Sequence, residues 1–200
     1  MSKARSIHAD VVVVCGDVTH FGSSEDAEKV LSPLTVIKLP ILYVLGNCDP
    51  MSLLKTKIEG THCIHGECKV YGDVSFIGAA SLPQDRIYPS PWEISEEEIH
   101  KALNTSLKKC SSRHNLVVVT HSPPLNTKLD LAYAGHIGSS SLRLFIEQTQ
   151  PSVVFCGHVH EARGIDYIGE TLIANTGPVD QGHCAVAVFN EKFEVQLGSL

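Results

Sequence analysis

Apolar positions along this chain gather into short runs, and segments of helical spacing lie between them. Val11-Val12-Val13-Val14-Cys15 is a continuous, mostly β-branched run closing on Gly16-Asp17, and unbroken apolar character of that length predicts a strand buried on both faces. Residues 23–32 follow, with Ser23 or Ser24 placed to cap a helix whose first turn carries Glu25 and Asp26. A serine oxygen accepts from the orphan N–H groups there, and the acids suit the positive helix end. A second apolar run at 41–45 ends in Gly46-Asn47-Cys48-Asp49. Strand, helix, strand, with polar groups at each strand end, predicts an α/β architecture.

Alternation from 69 to 82 around Gly72-Asp73 predicts a hairpin, and the proline-rich stretch 83–91 a loop. Residues 95–107 start acidic and set Ile99, Leu103 and Leu107 on one helical face. Leu116-Val117-Val118-Val119-Thr120-His121 predicts a third buried strand, and the irregular, glycine-bearing stretch 125–138 a loop over a pocket. A helix at 140–149 leads to a fourth strand, Val153-Val154-Phe155-Cys156, running on through Gly157-His158-Val159-His160. Segments 165–173 and 184–198 predict antiparallel pairs turning at Gly169-Glu170 and Asn190-Glu191. The 200 residues, free of internal repeats, predict a single domain over 1–200 with a sizeable core.

Composition narrows the partners. Hydrophobic residues at 43% and charged residues at 19% are ordinary for a soluble domain, and no apolar run approaches the ~20 residues that span a bilayer. The basic opening Met1-Ser2-Lys3-Ala4-Arg5 is followed by no apolar leader core, so a cytoplasmic protein without membrane contact is expected. A net charge of −6 argues against a broad nucleic-acid surface. Cys15 and Cys156, two of seven cysteines, sit in apolar runs as small buried hydrophobes, which suits a reducing compartment. The cluster His62-Cys63-Ile64-His65-Gly66-Glu67-Cys68 lacks a second C-x-x-C half for zinc, and its flanks read as a hairpin.

Four of the predicted strands deliver chemistry at their C-terminal ends: Asp17, Asn47, His121, and the pair His158 and His160. Those ends share one edge in an α/β sheet, so residues far apart in sequence converge there. Imidazoles, a carboxylate and an amide oxygen suit divalent Mn, Zn, Fe, Co or Ni better than Ca or a thiolate cluster. If the strand stays extended through His158-Val159-His160, both imidazoles fall on one side and address two adjacent ions, with Asp17 bridging.

Gly16-Asp17, Gly46-Asn47-Cys48-Asp49, Thr120-His121-Ser122-Pro123-Pro124 and Gly157-His158-Val159-His160, in this order, resemble the successive blocks of the calcineurin-like metallophosphoesterases. Gly16-Asp17-Val18-Thr19-His20-Phe21-Gly22, Thr127-Lys128-Leu129-Asp130, Gly135-His136-Ile137-Gly138-Ser139 and Asn175-Thr176-Gly177-Pro178 resemble the small prokaryotic, largely archaeal, branch. The resemblance implies a four-layer α/β-β/α sandwich that hydrolyses small phosphomonoesters or phosphodiesters with a metal-activated water and no covalent intermediate. It implies Asp17 as bridging ligand, Asn47, His121 and His158 completing one ion, and His160 reaching the other.

Three departures modify that expectation. His20 stands where the family commonly has the second Asp of Gly-Asp-x-x-Asp, and Cys48 replaces the histidine of Gly-Asn-His-Asp. His20 and His136 are therefore the candidate sources of the leaving-group proton. No Asp-x-His block precedes Asp17; Ser6-Ile7-His8 lies too close to the next strand, because a parallel crossover needs roughly a dozen residues. Residues 3–10 read as the tail of a crossover helix, the first strand of the fold is expected to be absent, and a late sequence start is the preferred account. The gap should be filled by a rearranged sheet or a homodimer, and the family's two ions should fall to one. A non-catalytic scaffold module of the same fold is the alternative.

Overall fold

The structure, a computed structural model, describes residues 2–80, 93–112 and 114–200. Its first half runs α1 (Ser2–Ser6), β1 (Val12–Cys15), α2 (Ser24–Leu31), β2 (Ile41–Val44), β3 (Thr61–Cys63), β4 (Cys68–Tyr71), β5 (Val74–Ala79) and α3 (Glu96–Lys109). The second half is β6 (Leu116–Thr120), β7 (Leu131–Ala132), β8 (Gly135–His136), α4 (Ser140–Thr149), β9 (Val153–Cys156), β10 (Gly164–Ile168), β11 (Thr171–Asn175), β12 (His183–Phe189) and β13 (Phe193–Ser199). Helices start where serine oxygens can accept backbone N–H groups. Ser23 with Asp26, and Ser95 with Glu98, form reciprocal capping boxes on α2 and α3.

Two sheets stack face to face. One is parallel, in the order β1-β2-β3; the other has six strands, β10-β11-β9-β6-β5-β4, antiparallel only at its two outer pairs. Leu42, Val44 and Ile64 from the first sheet meet Phe76, Val117, Val119, Val153 and Phe155 from the second in the inter-sheet core. On the outer face of the large sheet, Ile99, Leu103 and Leu107 of α3 and Leu142, Phe145 and Ile146 of α4 pack on Ile77, Val118 and Val154. Ala27 and Leu31 of α2 cover Tyr43 and Leu45 on the outer face of the small one. Helices, sheet, sheet, helices make the four layers.

The hairpin predicted at 69–82 is β4 and β5, closing at Tyr71↔Val74; its last residues and the proline-rich loop 83–91 lie outside the described residues. The single sheet edge expected to gather the site is in fact two: Asp17 and Asn47 follow strands of the small sheet, His121 and His158 strands of the large one. Stacking brings the two sets of strand ends together.

Two expectations fail in instructive ways. The run at 11–15 is only half-buried, not buried on both faces, because β1 is an edge strand with β2 as its ladder partner. Among the described residues no strand lies on its other edge; β12 and β13 form their own two-stranded sheet, so the rearranged sheet is not found. The extended alternation through His158-Val159-His160 also breaks down. Strand β9 stops at Cys156, His158 takes a left-handed φ of 66°, and His160 opens a 3-10 turn, His160–Ala162.

Cys68 and Cys110 form a disulfide across 42 residues, tying an edge strand to the end of α3, and five thiols remain free. This commits Cys68 elsewhere than a zinc site and departs from a wholly reduced reading of the cysteines. Closing a loop of that size removes up to about 4 kcal/mol of unfolded-state entropy. Reductant, or Cys110→Ser, is therefore expected to lower the thermal midpoint by several degrees; superimposable melts would show that the bridge contributes nothing. Among the described residues no helix is long and apolar enough to cross a membrane.

Candidate metal centre

The loops after β1 and β2 are locked together before any ligand is considered. Gly16 and Asp17 take φ of 85° and 50°, turning the chain sharply at the strand end, a conformation glycine adopts freely and Asp tolerates better than most residues. Asp17 Oδ1 then accepts the Cys48 N–H at 2.9 Å. Asp49, 1% exposed, reciprocates, accepting the N–H groups of Val18 (3.1 Å), Thr19 (2.7 Å) and Gly46 (2.9 Å) and the Thr19 hydroxyl (3.1 Å). Burial pushes the Asp49 carboxyl above the usual carboxylate range, against the pull of those N–H donors.

Gly46 is where the loops come closest: a Cβ there would collide with the Asp17 carboxylate. Gly46→Ala is expected to displace that carboxylate and weaken divalent-ion binding at least tenfold by calorimetry, with the circular dichroism spectrum preserved. Unchanged affinity would remove Asp17 from the site.

His121, 2% exposed, meets oxygens on both sides of its ring. Nδ1 lies 2.8 Å from the Cys15 carbonyl oxygen, and Nε2 lies 2.9 Å from Asn47 Oδ1 and 3.5 Å from Asp17 Oδ2. A neutral imidazole has one N–H for these three acceptors. With that proton donated to Cys15, as ligating histidines donate to backbone carbonyls, the Nε2 lone pair faces two further lone-pair donors, and a cation among them resolves the conflict. One imidazole, one carboxylate and one amide oxygen fit a borderline divalent ion.

His158 stands next to this set, its ring centroid 4.9 Å from that of His121. Burial, and then the neighbouring His121, hold its pKa down to about 3 although Asp17 pulls it up, so the ring is neutral, as a ligand must be. His160 is exposed on the 3-10 turn. Of the five predicted ligands the structure thus assembles Asp17, Asn47 and His121 and sets His158 beside them, with His160 close enough for its charge to bear on the His158 ring. Among the described residues no three His, Cys, Asp or Glu side chains converge to hold a metal; the third donor is an amide.

Cys48 is half-buried, and burial followed by the Asp17 charge pushes its thiol up to about 12, which makes it a poor nucleophile. His20 is exposed, its ring 4.8 Å from Phe21. The two candidate proton donors therefore differ: His136 Nδ1 is bound at 2.7 Å to Asp130, which is fully buried. Sequence reasoning missed the supporting roles of Asp49, Asp130 and Asn175, whose amide donates to the Val159 carbonyl at 2.7 Å. Only Asp49 carried a local signal, an acid a few residues beyond a buried strand; Asp130 lies deep in the loop after β6, and Asn175 ends β11.

Known proteins agree with this architecture. The family model described as calcineurin-like phosphoesterase matches residues 2–162. The uncharacterized protein MJ1162 of Methanocaldococcus jannaschii is 35% identical over 175 residues, covering 85% of this chain and 78% of that protein. The crystal structure of TT1561 of Thermus thermophilus matches with a TM-score of 0.72 at 13% identity, over 99% of this chain and 89% of the other. A second crystal structure reaches a TM-score of 0.79 at 17% identity, over 99% and 91%. These two structures carry the fold, the family model carries the membership, and the chain belongs to the calcineurin-like phosphoesterase family.

Proposed function

We propose that this chain is a metal-dependent hydrolase of small phosphomonoesters or phosphodiesters. The observation that carries the reading is the convergence of Asp17 Oδ2, Asn47 Oδ1 and the His121 Nε2 lone pair. Those three residues would hold a divalent ion, Mn, Zn, Fe, Co or Ni, with His158 as the next donor. Bound there, such an ion supplies Lewis-acid polarisation of the phosphoryl group and a water acidic enough to attack it. The chain's own contribution is preorganisation. Asp49 fixes the two loops, the Cys15 carbonyl sets the His121 tautomer, and both are in place before substrate arrives. The proposal extends to a cytoplasmic location and to a homodimer that covers the edge of β1.

One ion is expected to bind tightly. A second would draw on Asp17 and His160, below the three protein ligands usual for a catalytic zinc. After dialysis against low metal, elemental analysis should find close to one divalent ion per chain, and two firmly held ions would overturn this. The function itself is tested by assaying this chain beside one extended at its N-terminus by about 30 residues, the length of a strand–helix unit, with Mn and an aryl phosphodiester. Turnover by either, abolished by chelator, supports the hydrolase. An ion-loaded, extended chain without turnover would instead be a scaffold module of the same fold.

A further inference from the structure

Segment 125–139 is far better organised than a surface loop requires, and its organiser is one carboxylate. Asp130 has no exposed surface. Its Oδ2 accepts the N–H groups of Asn126 (3.0 Å) and Gly138 (3.1 Å), and its Oδ1 accepts the Thr127 N–H (2.8 Å) and hydroxyl (3.3 Å). The fifth bond is to His136 Nδ1, at 2.7 Å. A carboxylate so occupied can only accept, so Nδ1 carries the proton and the ring is held in one orientation. Nε2 is left without a partner among the described residues, on a side chain 41% exposed.

Backbone and side-chain contacts tie the loop that carries this pair to the segments that carry His121, His158 and His160. The loop leaves β6 directly after His121, and Ser139 closes it by donating its N–H to the Pro123 carbonyl at 2.9 Å. The Asn175 amide, which holds the Val159 carbonyl between His158 and His160, also reaches the Leu129 carbonyl at 3.5 Å. β7 then packs beside the turn His160–Ala162. A buried Asp that only shaped the loop would be satisfied by its four bonds to Asn126, Gly138 and Thr127, and has no need of a half-exposed imidazole.

We propose that His136 is the residue that protonates the leaving group in the hydrolysis assigned above, and that Asp130 is its positioning residue; the inference rests on that assignment. As the water oxygen forms its bond to phosphorus and gives up a proton to solvent, the P–O bond to the leaving group breaks and its electron pair goes to the departing oxygen. The proton on Nε2 of the imidazolium passes to that oxygen. Neutral imidazole, still donating Nδ1–H to Asp130, is then reprotonated from solvent. Such a donor matters most for a basic leaving group.

The test compares His136→Gln with the unaltered, metal-loaded chain, in whichever length turns over, on a nitrophenyl and an alkyl phosphodiester. The variant is expected to lose about tenfold in kcat on the first and about a thousandfold on the second, with KM little changed, the general-acid contribution being on the order of 10²–10⁴. Asp130→Asn should show the same leaving-group split in a milder form. Equal losses on both esters would reduce the pair to a structural role and overturn the proposal. A second readout needs no turnover. In the zinc-loaded, ¹⁵N-labelled chain, inorganic phosphate should shift the His136 Nε2 resonance, and Asp130→Asn should alter its tautomer pattern. If phosphate moves the His121 or His158 signals and leaves His136 still, the proposal fails while the phosphoesterase reading stands; if no histidine responds, both fall.

Discussion

Replacing His121 with alanine is expected to abolish tight divalent-ion binding and to lower kcat/KM by about three orders of magnitude or more, equivalent to about 4 kcal/mol of transition-state stabilisation. The ring is the one donor held from both sides, by the Cys15 carbonyl at one nitrogen and by Asn47 and Asp17 at the other. Its loss removes a ligand and also frees the other two donors to move. Stability should suffer less, by about 1–3 kcal/mol, because a nearly buried ring is lost and the Cys15 carbonyl is orphaned. Titration calorimetry with Mn and a urea melt separate the two effects. Undiminished ion affinity would take His121 out of the ligand set.

Asp49→Ala is expected to be the most destabilising single change at the site. It leaves three backbone N–H groups, those of Val18, Thr19 and Gly46, facing a space that was 1% exposed. At about 1–3 kcal/mol for each unsatisfied buried donor, the cost is about 3–9 kcal/mol, a large part of the roughly 5–15 kcal/mol that holds a typical domain together. Asp49→Asn keeps one acceptor oxygen and should fall between the alanine variant and the native chain. Urea denaturation at neutral pH measures this. A loss below about 1 kcal/mol for the alanine variant would mean that water takes over the carboxylate's bonds.

Much of this architecture was written locally. The helix at 140–149 was legible to the residue because Ser139 caps its start and the left-handed Gln150 ends it. The strands expected at 165–173 run slightly longer, as β10 and β11, and turn at Gly169-Glu170 as predicted. The site was legible where a buried strand hands over to a polar residue, as at Asp17, Asn47 and His121. What escaped was non-local. Hydropathy does not reveal that the strand end of β1 faces those of another sheet. The left-handed turn at His158 follows no apolar signal, and Cys68 finds Cys110 across 42 residues. Asp49 and Asp130 lie in loops, where short acids usually serve turns, and nothing in their neighbouring residues marks them for burial. Their full burial comes from the loops that fold around them.

Among the described residues no strand covers the outer edge of β1, which is expected to govern how this protein behaves in concentrated solution. Val12 donates its N–H to Pro40 of the neighbouring segment, and alternation along the strand turns the N–H groups of Val13 and Cys15 the other way. No lysine or proline lies within Val12–Cys15 to blunt that edge. The Val13 amide should trade deuterium with solvent much faster than its neighbours at Val12 and Val14, whereas His121 and Gly157 cover the strand at Cys15. The exchange pattern would then alternate along a single strand, and it should flatten as protein concentration rises and edges pair. Shelf life would then be limited by four residues at a sheet edge rather than by the core. Because Val13 and Cys15 pack into the space between the sheets, Val12→Lys is the change that would lengthen it with least disturbance.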